Sequence, residues 1–214
     1  TVSQLALTGA TSDLTSGSSR TLTATLQDAA GNTVPTTGTT VTYAQTAGAG
    51  TVTGLATANT SGGVATLDVT GNAVGSVTMR ASITTPSVVN SNTLTFAVVA
   101  GGVTQMTLSA ATSDLTAGVS RTLTATLKDA AGNTVPTTGT SVTFAKASGA
   151  GTVTGLGSSS TTVGVATLDV SGALAGAVTL TASIADPSAI DSNTVSFTVV
   201  VGNALTLAVT GSTA

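Results

Sequence analysis

Hydrophobic and polar positions alternate along much of this chain. Between Arg20 and Gln27, every second residue is leucine or alanine and the residues between them are threonine. A period of two residues predicts a β-strand with one buried face. The same pattern predicts seven strands in the first hundred residues, at 2–8, 19–27, 39–45, 51–55, 64–69, 76–84 and 92–99. We find no helical periodicity of useful length, so the pattern predicts an all-β protein.

The strand at 19–27 runs into the turn sequence Asp28-Ala-Ala-Gly-Asn32, followed by Pro35. Glycine adopts a positive φ without a Cβ clash, and Asp and Asn side chains can hydrogen-bond the local backbone. The stretch from Arg20 to Pro35 returns at residues 121–136 with one change, Gln27 to Lys128. We therefore predict a structural turn role for four residues, Gly31, Asn32, Gly132 and Asn133.

The repeat has a constant length. Asp13, Asn32, Pro86 and Phe96 each recur 101 residues further on, as Asp114, Asn133, Pro187 and Phe197. A period near one hundred residues is the size of a whole domain. The register continues from Leu5 through Met106 to Leu207. We predict one repeat at 1–100, a second at 101–202, and the first strand of a truncated third repeat at 203–214.

Seven short strands with regular turns in about one hundred residues predict an immunoglobulin-like β-sandwich. The chain lacks Cys and Trp, so its core must be largely aliphatic. Its few aromatic residues are predicted to pack in or near that core, and they are Tyr43, Phe96, Phe144 and Phe197. The short linker around Gly101 and Gly102 predicts an extended, semi-rigid tandem array.

The composition narrows the range of functions. The chain is 6% charged with a net charge of −3, and it contains no His. The lack of a basic patch argues against nucleic-acid binding. No apolar run is long enough to span a bilayer, so membrane insertion by this segment is not expected. Without His, Cys or Glu, few acid–base groups remain, and we predict no enzymatic activity, no catalytic residues and no cofactor.

The turns offer oxygen atoms of the kind that Ca²⁺ binds. Oxygen donors occur in both copies of the turn, but Ca²⁺ requires six to eight oxygens and no Asp-x-Asp-x-Asp loop is present. Isolated Asp and Asn in turns usually serve the backbone. We therefore predict no metal site, and the residues that come nearest to one are Asp28, Asn32, Asp129 and Asn133.

The turn and strand motifs together resemble a known family. Arg20–Pro35 resembles the bacterial immunoglobulin-like repeat of the invasin and intimin type. So do five later elements, which are Val41-Thr-Tyr43, Gly48-Ala-Gly-Thr-Val52, Gly63-Val-Ala-Thr-Leu67, Gly75-Ser-Val-Thr78 and Ser91-Asn-Thr-Leu-Thr-Phe96. The resemblance covers both complete copies. It implies a repeated stalk module of a bacterial surface protein, often an adhesin, located outside the cell.

Three functions follow as hypotheses. The first is a structural spacer or stalk whose partners are neighbouring copies of the same repeat in the same chain. The alternative is a self-assembling subunit of a surface filament, sheath or surface layer, in which identical chains associate by strand exchange through residues 204–214. Rows of outward threonine with little charge favour lateral association. The third is a ligand-binding adhesive domain, which loop aromatics and charged clefts would favour, and the sequence shows neither.

Overall fold

The structure is a computed structural model that describes residues 1–202. It divides into two compact units. The first comprises Thr1–Gly102 together with the segment Asp129–Val135, and the second comprises Val103–Lys128 and the described residues from Pro136 onward. These units do not follow the repeat boundaries at every residue, so the boundaries at 1–100 and 101–202 stay predictions. The predicted third-repeat strand at 203–214 lies outside the described residues.

The first repeat contains ten strands. They are β1 (Gln4–Thr8), β2 (Leu14–Thr15), β3 (Ser19–Gln27), β4 (Thr40–Ala47), β5 (Val52–Thr53), β6 (Thr57–Asn59), β7 (Val64–Gly71), β8 (Gly75–Ile83), β9 (Val89–Asn90) and β10 (Leu94–Val99). One sheet has the order β1-β3-β7-β5, and the other has the order β2-β10-β8-β4-β6, with β9 paired to β8. All pairings are antiparallel except that of β2 with β10.

This topology is that of an immunoglobulin fold. In order across one sheet, β1, β3, β7 and β5 take the places of strands A, B, E and D, while in the other sheet β4, β8 and β10 take those of C, F and G. The predicted fold class is therefore confirmed. Among residues 1–202 there is no helix long and apolar enough to cross a membrane.

The second repeat reproduces the first strand for strand. Its strands are β11 (Gln105–Ser109), β12 (Leu115–Thr116), β13 (Ser120–Lys128), β14 (Ser141–Ser148), β15 (Val153–Thr154), β16 (Ser158–Ser160), β17 (Val165–Gly172), β18 (Gly176–Ile184), β19 (Ile190–Asp191) and β20 (Val195–Val200). The sheet orders are β11-β13-β17-β15 and β12-β20-β18-β14-β16, with β19 paired to β18.

Each repeat has a core of its own between its two sheets. The alternation in β3 buries Leu22, Ala24 and Leu26 completely, and the threonines between them are exposed or half-buried. All four aromatic side chains are buried, as predicted. Burying a large aliphatic or aromatic side chain contributes roughly 1.5–3 kcal/mol, so each core can stabilise its own sandwich.

Three strands of each repeat escaped the sequence pattern. In the first repeat they are β2, β6 and β9, which are two or three residues long. The first of them, β2, lies in the connection between β1 and β3 and pairs in parallel with β10. A strand of two residues cannot display a period of two, so alternation could not reveal these elements.

Candidate interaction site in the Asp-x-x-Gly-Asn turns

The turn after β3 is closed by its own side chains. Asp28 Oδ1 accepts the N–H groups of Ala30 and Asn32, both at 2.9 Å. Asn32 Nδ2 donates to Asp28 Oδ2 at 3.1 Å. Gly31 has a φ of 86°, and a Cβ added there would meet nothing within 4 Å. The backbone conformation therefore requires glycine at this position, and crowding does not.

The turn after β13 has the same internal bonds. Asp129 Oδ1 accepts the N–H of Ala131 at 3.0 Å and that of Asn133 at 2.9 Å. Asn133 Nδ2 donates to Asp129 Oδ2 at 2.9 Å, and Gly132 has a φ of 86°. The structure thus brings together Asp28 with Asn32 and Asp129 with Asn133, two residues in each turn.

The two turns differ in what surrounds them. Within the first compact unit, the side chain of Asn133 accepts the N–H of Val74 at 3.1 Å and donates to the carbonyl of Asn72 at 2.8 Å and to Ser16 Oγ at 3.1 Å. The carboxylate of Asp129 accepts the N–H of Gly101 at 3.0 Å. In contrast, the side-chain hydrogen bonds of Asn32 in the described part of the chain all go to Asp28.

Burial follows the same difference. Asp129 is 2% exposed and Val135, at the end of the segment, is 7% exposed. Their counterparts Asp28 and Val34 are half-buried, and Asn32 is exposed where Asn133 is half-buried. Identical turn sequences therefore occupy two environments, one covered and one open.

The surroundings of Asp129 lower the pKa of its carboxyl group. Burial raises that pKa, but hydrogen bonds from the Asn133 side chain and from the N–H groups of Gly101, Asn133 and Ala131 outweigh burial and lower the pKa to about 2. The pKa of Asp28 is also lowered, mainly by the Asn32 side chain and backbone. Both carboxylates are stabilised in the ionised form.

Four residues of the first repeat form hydrogen bonds with the Asp129–Asn133 turn, and we call the loops that contain them the receiving loops. The four residues are Ser16, Asn72, Val74 and Gly101. Three of their four contact groups are main-chain groups, and only Ser16 contributes a side chain. Neighbouring hydrogen bonds fix their backbone: Asn72 N–H donates to the carbonyl of Thr51 at 2.9 Å and Ser16 N–H to that of Val99 at 2.8 Å. The receiving loops therefore present a preformed set of donors and acceptors.

The carboxylates of both turns already accept N–H groups. This use differs from a Ca²⁺ site, in which several oxygens converge on one point. Among residues 1–202, no three acidic, His or Cys side chains lie together as a group that could hold a metal ion. The assignment of Asp28, Asn32, Asp129 and Asn133 as the nearest candidates for Ca²⁺ stays an untested prediction.

Asn92 is a structural residue that sequence reasoning missed. Its Oδ1 accepts the N–H of Leu7 at 2.9 Å, and its Nδ2 donates to the carbonyl of Leu7 at 3.0 Å. Leu7 lies on β1, the edge strand of its sheet. Asn193 makes the same pair of bonds to Leu108, both at 2.9 Å. The Asn side chain therefore occupies the open edge of β1, where another strand would otherwise pair.

A stacked arginine was also missed. The guanidinium carbon of Arg20 lies 4.5 Å from the centroid of the Phe96 ring, and Arg121 lies 4.4 Å from that of Phe197. Arg20 also donates to the carbonyl of Ser12 at 2.7 Å. The recurrence of Arg20 as Arg121 indicated that the arginine has a role in each repeat. Its contact with the ring could not be predicted, because Phe96 is far away in the sequence. This contact is structural, since it closes the core of each sandwich.

Surface depressions in the repeats offer little for a ligand. The one in the first repeat is lined by Thr36, Thr37, Gly38, Thr39, Thr40, Thr84, Thr85 and Pro86. A second is lined by Gly139, Thr140, Ser141, Thr143, Ala185 and Asp186. Hydroxyl side chains are prominent in both linings, and Asp186 is the sole charged residue among the residues named.

The fold and the turn geometry define this chain as a tandem of immunoglobulin-like β-sandwich repeats. No protein-family model and no curated protein matches its sequence. Solved structures do resemble it. The D00-D0 domain of intimin is 20% identical, with a TM-score of 0.45, and the match covers 90% of this chain and 98% of that one.

Two further solved structures resemble this chain to a similar degree. The D0-D1 domain of intimin is 22% identical with a TM-score of 0.34, covering 92% of this chain and 98% of that one. The Yersinia pseudotuberculosis adhesin InvE is 19% identical with a TM-score of 0.41, covering 90% of this chain and 58% of that one. The resemblance to invasin and intimin repeats expected from the sequence is thus found among solved structures, and at these identities it concerns the fold alone.

Proposed function

We propose that this chain is a non-enzymatic structural spacer, a stalk module of an extracellular bacterial surface protein. The observation that carries the proposal is the repetition, after 101 residues, of a complete sandwich with its own core. Repeating a self-contained unit adds length without adding chemistry.

The disposition of polar groups supports a structural role. Within residues 1–202, the Asp and Asn side chains of the two turns bond to other groups of the chain, and none of them lines the surface depressions. Asp28 and Asp129 close turns, and Asp68 accepts the hydroxyl of Thr21 at 2.5 Å. A catalytic site requires acid–base groups that converge on a substrate cavity.

The extracellular location on a bacterial surface is supported by the sequence motifs shared with invasin and intimin repeats. The absence of Cys agrees with it, because folding then does not depend on the redox state of the compartment. Partners in this role are neighbouring copies of the repeat in the same chain.

A deletion in register tests the spacer role. Removing residues 101–201 from the parent surface protein joins Ala100 to Gly202, which replaces Gly101 with its counterpart. We expect a folded, surface-exposed protein whose distal epitope lies closer to the envelope by on the order of 30 Å, the length of a nine-residue strand. Immunogold labelling or force microscopy measures that distance.

The matched control deletes a similar length out of register and should prevent folding. If the in-register deletion leaves the epitope distance unchanged, or abolishes a binding or catalytic activity of the purified 214-residue chain itself, the spacer role is wrong. A purified chain that binds no ligand, together with the shortened reach, supports it.

The alternative of self-assembly by strand exchange concerns residues 204–214, which lie outside the described residues. Within residues 1–202, the first-strand position of each sandwich is filled by its own strand, β1 or β11. A strand donated by another chain would have to displace one of these.

A further inference from the structure

The beginning and the end of each repeat are joined at two places. In the first repeat, the side chain of Asn92, just before β10, forms two hydrogen bonds with the backbone of Leu7 on β1, at 2.9 and 3.0 Å. Further along, β2 pairs in parallel with β10. In the second repeat, Asn193 forms the same two bonds with Leu108, and β12 pairs in parallel with β20. The first segment of each sandwich is thus tied directly to the last.

The two connections run in the same direction. Asn92 bonds to Leu7, and further along both segments Val98 pairs with Leu14. Tension applied to the ends of the repeat pulls β1 toward its N-terminal end and β10 toward its C-terminal end. Parallel neighbours that are pulled in this way slide past each other, so the hydrogen bonds between them are loaded together and cannot break one after another.

We propose that Asn92 and Asn193 are force-bearing side chains that allow each repeat to resist tension along the chain. The inference rests on the proposed spacer function, because a spacer fixed at one end and attached at the other carries tension. The Asn amide replaces a neighbouring strand: its oxygen accepts the N–H and its nitrogen donates to the C=O of one residue. Two residues that face each other in an antiparallel ladder exchange the same pair of bonds.

The position of Asn92 explains why its two bonds carry load. β1 pairs with β3 in one sheet, whereas β10 lies in the other sheet. The core between the sheets consists mainly of apolar contacts, which are non-directional. The Asn92 amide adds directional bonds between the two sheets at the point where tension enters β1. Leu7 is 1% exposed, so water has little access to replace the amide.

Single-molecule force spectroscopy on the intact chain tests the proposal. The chain contains no Cys, so a pair of introduced cysteines determines where the load is applied. In the first geometry, Ser3→Cys and Gly102→Cys load the outer ends of β1 and β10. Both positions are exposed, and a Cβ added at Gly102 meets nothing within 4 Å. In the second geometry, Thr53→Cys and Ser87→Cys load β5 and the loop after β8, so β1 and β10 are not pulled apart.

At equal force, Asn92→Ala should speed unfolding of the first repeat about tenfold in the first geometry, which corresponds to 1.4 kcal/mol, and less than about threefold in the second. Asn193→Ala lies outside the loaded repeat and serves as the matched control, which should change neither rate.

The comparison of geometries separates a force-bearing role from a merely stabilising one, which would speed unfolding equally in both. A second measurement needs no substitution at Asn92: the chain that retains it should unfold more slowly in the first geometry than in the second. Equal acceleration in both geometries, no acceleration in the first, or equal rates for the chain that retains Asn92 overturn the proposal. The in-register deletion tests the spacer role separately, since the distal epitope can move closer to the envelope whether or not Asn92 bears force.

Discussion

Substituting Asn133 by alanine is expected to loosen the first compact unit, while the same change at Asn32 leaves it intact. The two residues occupy identical turns, so they form a matched pair. Asn133→Ala removes the bonds to Val74, Asn72 and Ser16, in addition to the bond inside the turn. Asn32→Ala removes only bonds to Asp28.

The magnitude follows from the bonds lost. A hydrogen bond contributes a net ~0.5–1.5 kcal/mol, and the lower half of that range applies where water can replace the partner. The three bonds that Asn133 makes outside its turn therefore give about 2 kcal/mol for Asn133→Ala, in addition to the bond inside the turn that both variants lose. The single pairing with a carboxylate in an exposed turn gives less than about 1 kcal/mol for Asn32→Ala.

Native-state hydrogen exchange measures this opening locally, which suits a chain of two units whose global unfolding is not two-state. The Val74 amide loses its acceptor in Asn133→Ala and should exchange at least about tenfold faster, since 1.4 kcal/mol is a factor of ten. Core amides of β3 should keep their rates. Unchanged exchange at Val74 in Asn133→Ala, or equal acceleration in Asn32→Ala, would refute the assignment of these bonds.

Three further predictions concern Asp129, Asn92 and Tyr43. The pKa of Asp129 is lowered to about 2 in the folded chain, so its carboxylate stabilises the fold above its unfolded pKa and this contribution is lost as the pH falls from about 4 to 2. Thermal unfolding should show a smaller loss of Tm over that range in Asp129→Asn than in the wild type, and equal losses would contradict the pKa. Asn92→Ala should lower the free energy of unfolding by about 2–3 kcal/mol, because the buried N–H and C=O of Leu7 lose their partners. Asn193→Ala should lower the free energy of unfolding by the same amount in the second repeat. An effect below about 0.5 kcal/mol at either site, as at an ordinary surface position, would argue against a stabilising role of these hydrogen bonds. Tyr43→Phe should cost about 1 kcal/mol in denaturant unfolding, since the buried hydroxyl donates to the carbonyl of Ala65 at 2.7 Å; the second repeat, with Phe144 at this place, offers the natural comparison, and a gain in stability would refute the value assigned to the bond.

The strands were predictable where the local pattern contains the information. The β3 bounds follow from alternation alone, and the seven predicted strands are all present, with ends shifted by a few residues. The third predicted strand continues to Ala47 through an irregularity between Gln45 and Ala47, which breaks the alternation. The short strands β2, β6 and β9 depend on partners supplied by the finished sheet, so no local pattern predicts them.

Side-chain roles were less predictable because their partners are remote. Asn92 bonds Leu7, 85 residues earlier in the chain. The recurrence of Ser-Asn at 91–92 and 192–193 was a signal that the pair matters, but it could not name the strand that the amide clamps. Arg20 and Phe96 present the same difficulty. The sequence shows that both residues recur in the second repeat, but it does not show that they are in contact.

The turns show why identical sequence does not imply identical chemistry. Residues 28–32 and 129–133 have the same sequence and the same internal hydrogen bonds. Asp129 is nevertheless 2% exposed where Asp28 is half-buried, and Asn133 is half-buried where Asn32 is exposed. The difference comes from the receiving loops, which act mainly through backbone atoms and therefore leave little trace in their own sequence. These hydrogen bonds require the Asp and Asn side chains on the turn, whereas on the loops they require mainly a suitable backbone geometry.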